Sequence, residues 1–122
     1  MNQYLLSTHS VEGDVGGAPG PDEMREFLGR VARLEEEMES RGAFVFGGAL
    51  FGPDSAKVLA PSDGGISTTD GPFAETKEQI AGFYIINSED LEEALAWGAK
   101  VAEATNHPIE VRPFRATGRV EV

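Results

Sequence analysis

The stretch Ile80-Ala81-Gly82-Phe83-Tyr84-Ile85-Ile86-Asn87 reads as the strongest strand of the chain. Neighbouring side chains along a strand point to opposite faces, so four consecutive apolar positions, Phe83 to Ile86, make both faces of its sheet apolar. Just downstream, Ser88 suits the N-cap of a helix whose first turn carries Glu89 and Asp90. Leu91, Ala94, Leu95, Gly98 and Ala102 fall along the buried face of that helix. Pro108 closes the region, and Ile109 to Phe114 makes a last strand.

Upstream, Lys57 to Ala60 and Ile66 to Thr69 form a small hairpin around Ser62-Asp63-Gly64-Gly65. Ala43 to Phe51 is a further strand, with a bulge expected at the pair Gly47-Gly48. Before it runs a helix opened by Pro21, Asp22 and Glu23 and ended by Gly42. Met24, Phe27, Leu28, Val31, Leu34 and Met38 follow one helical face. Gln3 to Ser7 is a short first strand, and the Gly- and Pro-dense stretch 12–21 is a loop.

The predicted order is strand, helix, strand, hairpin, strand, helix, strand. That is an α+β, ferredoxin-like βαββαβ plan with an inserted hairpin in a single domain. Two helices cover one face of such a sheet, yet Phe44-Val45-Phe46 and Phe83 to Ile86 supply apolar side chains to both. A chain of 122 residues has no third layer to offer, so a homodimer packed sheet to sheet is expected.

Composition excludes several classes of function. Lysine and arginine total 10 against 21 aspartate and glutamate, a net charge of −11. The first 60 residues carry 5 basic and 10 acidic residues and the remainder 5 and 11, so the acidity is spread along the chain. Without clustered cations, neither nucleic acid nor an anionic membrane surface is an expected partner. No apolar run approaches the ~20 residues that cross a bilayer. The start, Met1-Asn2-Gln3-Tyr4-Leu5-Leu6, carries neither signal peptide nor anchor, so the expected location is the cytoplasm. There is no cysteine, which removes disulfides, thiolate metal sites and cysteine nucleophiles. Two histidines about a hundred residues apart give no metal-ligand spacing. No GxGxxG, P-loop or GxSxG arrangement occurs, and no cofactor is expected.

Between the hairpin and the strongest strand lies Asp70-Gly71-Pro72-Phe73-Ala74-Glu75-Thr76-Lys77-Glu78. This run, leading into Gly82-Phe83-Tyr84, resembles the signature of the DGPF group within the YCII-related proteins. Asp90-Leu91-Glu92-Glu93-Ala94 through Trp97, and Ile109-Glu110-Val111-Arg112-Pro113-Phe114, extend the resemblance over most of the chain. It implies a dimeric α+β barrel built on the ferredoxin-like fold. It also implies kinship with ring-opening and dehalogenating proteins of aromatic catabolism, in a group suspected of His/Asp acid–base chemistry. Members of the DGPF group are often encoded beside extracytoplasmic-function sigma factors. The wider group's suspected histidine lies on the first helix, and residues 21–41 contain none.

The candidate catalytic residues are His9, Asp70, Glu75 and Lys77. His9 follows the first strand, at a junction of the kind that lines clefts, where an imidazole can act as base. Asp70 is either a turn-capping carboxylate before Gly71 or a base at a pocket mouth. Glu75, Lys77 and Glu78 alternate in sign, as a solvated ion-paired loop or as a network in which Lys77 neutralises an anionic substrate and Glu75 handles a proton. Phe73, Tyr84 and Arg112 are candidates for substrate binding. Against that stand core or interface roles for the two aromatics and an ion pair with Glu110 for Arg112. His107, before Pro108, reads as a surface loop residue.

The expected activity is acid–base chemistry on a small aromatic or carboxylate compound, in a pocket between the sheet and the motif loop. The alternative is a non-catalytic binding or regulatory module serving a sigma-factor pathway.

Overall fold

The computed structural model describes residues 2–11, 20–73 and 78–121. Its elements are β1 (Asn2–Val11), α1 (Pro21–Ser40), β2 (Phe44–Ala49), β3 (Lys57–Ser62), β4 (Gly65–Asp70), β5 (Glu78–Ser88), α2 (Leu91–Thr105) and β6 (Ile109–Pro113). Four strands form one antiparallel sheet in the order β2-β5-β1-β6, and β3 and β4 form a separate hairpin. With α1 and α2 joining strands that are not neighbours, this is the ferredoxin-like arrangement expected from the sequence. No helix among the described residues is long and apolar enough to cross a membrane.

β5 alternates buried and half-buried residues from Gly82 to Ser88. Tyr84, Ile86 and Ser88 face the helices, and Phe83, Ile85 and Asn87 face the other way. Tyr4 and Leu6 of β1 join the helix side, where Leu34 and Met38 of α1 and Ala94, Trp97 and Val101 of α2 complete the core. Leu6, Met38, Ile86 and Val101 are sealed from solvent, each contributing about 1.5–3 kcal/mol by burial. Gly98 lets α2 approach β6, since an added Cβ would stand 2.8 Å from a Val111 methyl.

The α2 stripe differs in phase from the expected one. Ala94, Trp97, Gly98 and Val101 are buried, whereas Leu91 and Leu95 are exposed. Asp90, not Ser88, is the cap: its carboxylate accepts from the Glu93 N–H at 2.9 Å. Ser88 instead lies buried in β5 and donates its hydroxyl to the Asp90 carbonyl at 2.7 Å. Starting the helix two residues later rotates the set of positions that meet the sheet.

β1 runs on beyond Ser7 to Val11, so His9 is inside the strand and not after it, next to a register shift between Thr8 and His9. The irregularity in β2 precedes the glycine pair: Phe44 opposes Ile86 and Phe46 opposes Ile85, leaving Val45 as the extra residue. That bulge sends Phe44 to the helix side, edge-on to Tyr84, and Phe46 to the open side, 6.0 Å from the ring of Phe83. Gly42, at φ +71°, takes the left-handed conformation that ends α1. Across the helix layer, Lys100 of α2 hydrogen-bonds Glu37 of α1 and holds its carboxyl below the usual range.

Candidate functional site

The apolar stripe of α1 is buried only in its second half. Leu34 and Met38 are covered, while Phe27 and Val31 are half-buried and Met24 and Leu28 are exposed. The cause lies in the sheet beneath. Gly47 of β2 and Gly82 of β5 lie across from Phe27, Leu28 and Val31 and offer no side chain to fill the gap. The result is a cleft of about 320 Å³. α1 supplies Phe27, Leu28, Val31 and Glu35 as one wall. The floor is the glycine-lined end of the sheet with Tyr84 and Thr8, and Thr105 and His107 at the end of α2 close the far side.

Inside this largely apolar cleft the Tyr84 hydroxyl donates a 2.5 Å hydrogen bond to the Glu35 carboxylate. Burial, and then the bond to Glu35, raise the phenol well above its ordinary value, so it stays protonated across the physiological range. The geometry depends on Gly47, where an added Cβ would come within 2.6 Å of the Tyr84 ring. Gly82 is equally confined, its Cβ position lying 2.8 Å from the Gly48 carbonyl oxygen.

Of the described residues predicted from sequence, Tyr84 lines the cleft and His9, Asp70, Phe73 and Arg112 do not. His9 is on the open face of the sheet, its Nε2 2.9 Å from the Ser7 hydroxyl oxygen. Asp70 ends β4 in an exposed ion pair with Lys57 of the facing strand. Phe73 is 90% exposed. Arg112 pairs with Glu110 on the same strand at 2.8 Å, on the open face beside Leu5 and Ser7. Glu75 and Lys77 lie outside the described residues. His9 and Arg112 therefore lie on the open sheet face and Asp70 on the hairpin, and none of His9, Asp70, Phe73 and Arg112 lines the cleft.

A second hollow, about 370 Å³, does lie beside the motif, where Pro72 meets Leu50, Phe51 and Ile80. Among the described residues its lining has no titratable side chain. Shallow grooves lined by Arg25, Arg30 and Arg33 lie on the outer surface of α1. Among the described residues no three histidine or carboxylate side chains cluster as metal ligands would.

Glu35 and His107 were missed by reading the sequence. Glu35 sits in the run Glu35-Glu36-Glu37, which resembles a solvated helix face. The available signal was its spacing: Phe27, Val31 and Glu35 are four residues apart and share one side of the helix. His107 is half-buried with its Nδ1 2.7 Å from the Thr105 carbonyl oxygen, so it faces the cleft end and is not a plain surface residue.

Comparison with known proteins agrees with the fold. The model of the YCII-related domain matches residues 3–116. An uncharacterised protein of Rhizobium meliloti (strain 1021) is 44% identical over 62 residues, 49% of this chain. The match spans 50% of that protein's length. A family match over nearly the whole chain, together with the antiparallel β2-β5-β1-β6 sheet and its two helices, makes this chain a member of the YCII-related domain family.

Proposed function

We propose that this YCII-related protein, of the DGPF type by its motif, binds a small molecule in the cleft between α1 and the glycine-lined end of the sheet. The observation that carries this reading is the Tyr84–Glu35 hydrogen bond inside an apolar hollow large enough for a one-ring ligand. Concave apolar surface provides affinity, and a few fixed polar groups provide orientation. Glu35 is the group suited to take a proton from a bound ligand. Tyr84, protonated and hydrogen-bonded to it, steadies the carboxylate. In this reading Glu35 and Tyr84 carry the acid–base role in the cleft, which neither His9 nor Asp70 lines.

Titration of ¹⁵N-labelled protein with small aromatic compounds tests this reading. Amide shifts concentrated at Gly47, Gly48, Gly82 and His107, and abolished by a Leu28→Trp substitution that fills the cleft mouth, support it. Shifts that fall on the open sheet face, or that persist in L28W, overturn it.

The second part of the proposal is a homodimer formed through the open sheet face. Phe46 is 56% and Ile80 44% exposed there, with Phe83, Ile85 and Leu5 half-buried alongside. A contiguous apolar sheet face of this kind is the usual mark of an interface.

A further inference from the structure

The polar side chains of the cleft have an unusual balance of donors and acceptors. The Tyr84 hydroxyl proton is committed to Glu35. The Thr8 hydroxyl donates to the Gly82 carbonyl at 3.2 Å, and the Thr105 hydroxyl to the Val101 carbonyl at 2.8 Å. His107 places Nδ1 2.7 Å from the Thr105 carbonyl oxygen. A carbonyl can only accept, so Nδ1 carries a proton, and whenever the ring is neutral Nε2 is a lone-pair acceptor. Glu35, as a carboxylate, accepts only.

Among the described residues, with His107 neutral, every side-chain donor lining the cleft is therefore already used, and what remains is acceptor capacity on Glu35, His107 and the threonine hydroxyls. Among the described residues no lysine or arginine lines the cleft. Arg30, on the neighbouring turn of α1, directs its Nε to the Ala104 carbonyl at 3.1 Å and lies over the outside of the Phe27 ring.

From this we infer that the ligand is an apolar molecule bearing a hydrogen-bond donor, of the phenol or alcohol class, and that carboxylates are excluded. The inference rests on the cleft being the binding site, as proposed above. A carboxylate entering it would meet another carboxylate in an apolar hollow with no spare side-chain donor, leaving its own charge buried and unpaired. A hydroxyl entering it would give its proton to Glu35 or to His107 Nε2 and leave nothing unsatisfied. Sites built around one hydrogen-bonding sense reject analogues of the opposite sense far more strongly than they sort by size.

Three probes of similar shape separate the alternatives: p-cresol, 4-methylanisole and p-toluate. The first donates, the second only accepts, and the third is an anion. Their dissociation constants are read from the cleft amides of ¹⁵N-labelled protein at neutral pH. The expected result is p-cresol tighter than 4-methylanisole by about fivefold or more, the effect of one retained hydrogen bond to a carboxylate, with p-toluate weaker still. Glu35→Gln, which adds an amide donor, should narrow the cresol preference and let p-toluate in.

A smaller cresol preference in the wild-type protein, or p-toluate binding the cleft as tightly as p-cresol, overturns the ligand class while leaving the cleft as the site. If none of the three moves a cleft amide, the site itself is wrong and the ligand class falls with it. An unchanged ratio in E35Q removes Glu35 as the acceptor that selects the ligand.

Discussion

Gly47 on β2 lies directly beneath the ring of Tyr84 on β5, so close that a methyl group there would stand 2.6 Å from the ring's Cδ1. The absence of one side chain lets the ring lie flat enough for its hydroxyl to reach Glu35 across the cleft. Gly47→Ala should therefore push the ring or the edge strand aside and cost about 1–3 kcal/mol. Gly48, its neighbour, has nothing within 4 Å of its Cβ position. Gly48→Ala should stay within about 0.5 kcal/mol of the wild-type protein, the range of substitutions that meet no packing conflict. Urea denaturation of the two variants side by side makes the comparison, and equal losses would show that the close approach to Tyr84 has no energetic consequence.

Tyr84→Phe tests the same bond from the other end. Losing the hydroxyl should cost about 1 kcal/mol at neutral pH, because the half-buried Glu35 can recover part of its loss from water. The pH dependence is more specific. Folding raises the phenol above its ordinary value, so the stabilisation is complete below about pH 10, where the unfolded chain's tyrosine is also protonated. Above that pH the unfolded state loses its proton while the folded state keeps it, and stability falls. Wild-type protein should accordingly lose stability faster than Y84F between pH 9 and 11, narrowing the gap between their urea midpoints. A gap that stays constant or widens would contradict a phenol protected by burial.

Asp70 opens the motif that resembles the DGPF signature, yet its carboxylate faces Lys57 across an exposed hairpin. Exposed pairs of this kind gain little, because solvent screens them and ordering two side chains opposes them. Asp70→Asn should change the urea midpoint by less than the equivalent of about 1 kcal/mol and leave p-cresol binding unaltered. Loss of cresol binding in a folded D70N would return the site to the motif loop.

Much of the architecture was legible in the chain because it rests on periodicity. Phe83 to Ile86 could only be a strand with two apolar faces, and Pro21 and Gly42 mark the two ends of α1 as glycine and proline chemistry requires. The cleft was not legible, because it arises from what the sheet lacks. The helical stripe from Met24 to Met38 looks uniformly buried in sequence, and only the pairing of Gly47 with Tyr84 and of Gly82 with Thr8 and Ala49 shows that part of it faces glycines. Register is a tertiary fact: the bulge at Val45 decides that Phe44 and Phe46 part company, and no local signal sets its position. The phase of α2 failed for a similar reason, since Ser88 and Asp90 are both good caps and the choice between them turns on Ser88 being buried inside β5.

The open sheet face yields the remaining prediction. Phe46 on the edge strand β2 lies against Phe83 of β5, and β6 contributes the Arg112–Glu110 pair at the opposite edge. A second copy seated there would cover the apolar side chains, at roughly 25 cal/mol for each Å² removed from water. Opposing it, each protomer carries a net charge of −11, and two such bodies repel. Salt shortens the reach of that repulsion to about 8 Å at physiological ionic strength and leaves the apolar contribution largely intact. Dimerisation should therefore strengthen as salt is raised, the reverse of an interface held by ion pairs. Phe46→Glu adds a charge to the most exposed apolar side chain of the face and should give a folded monomer at every salt concentration. Sedimentation velocity at micromolar concentration, from low to high salt, reads all of these outcomes. A wild-type protein that sediments as a monomer throughout, or whose association weakens with salt, would rule out a dimer driven by this face.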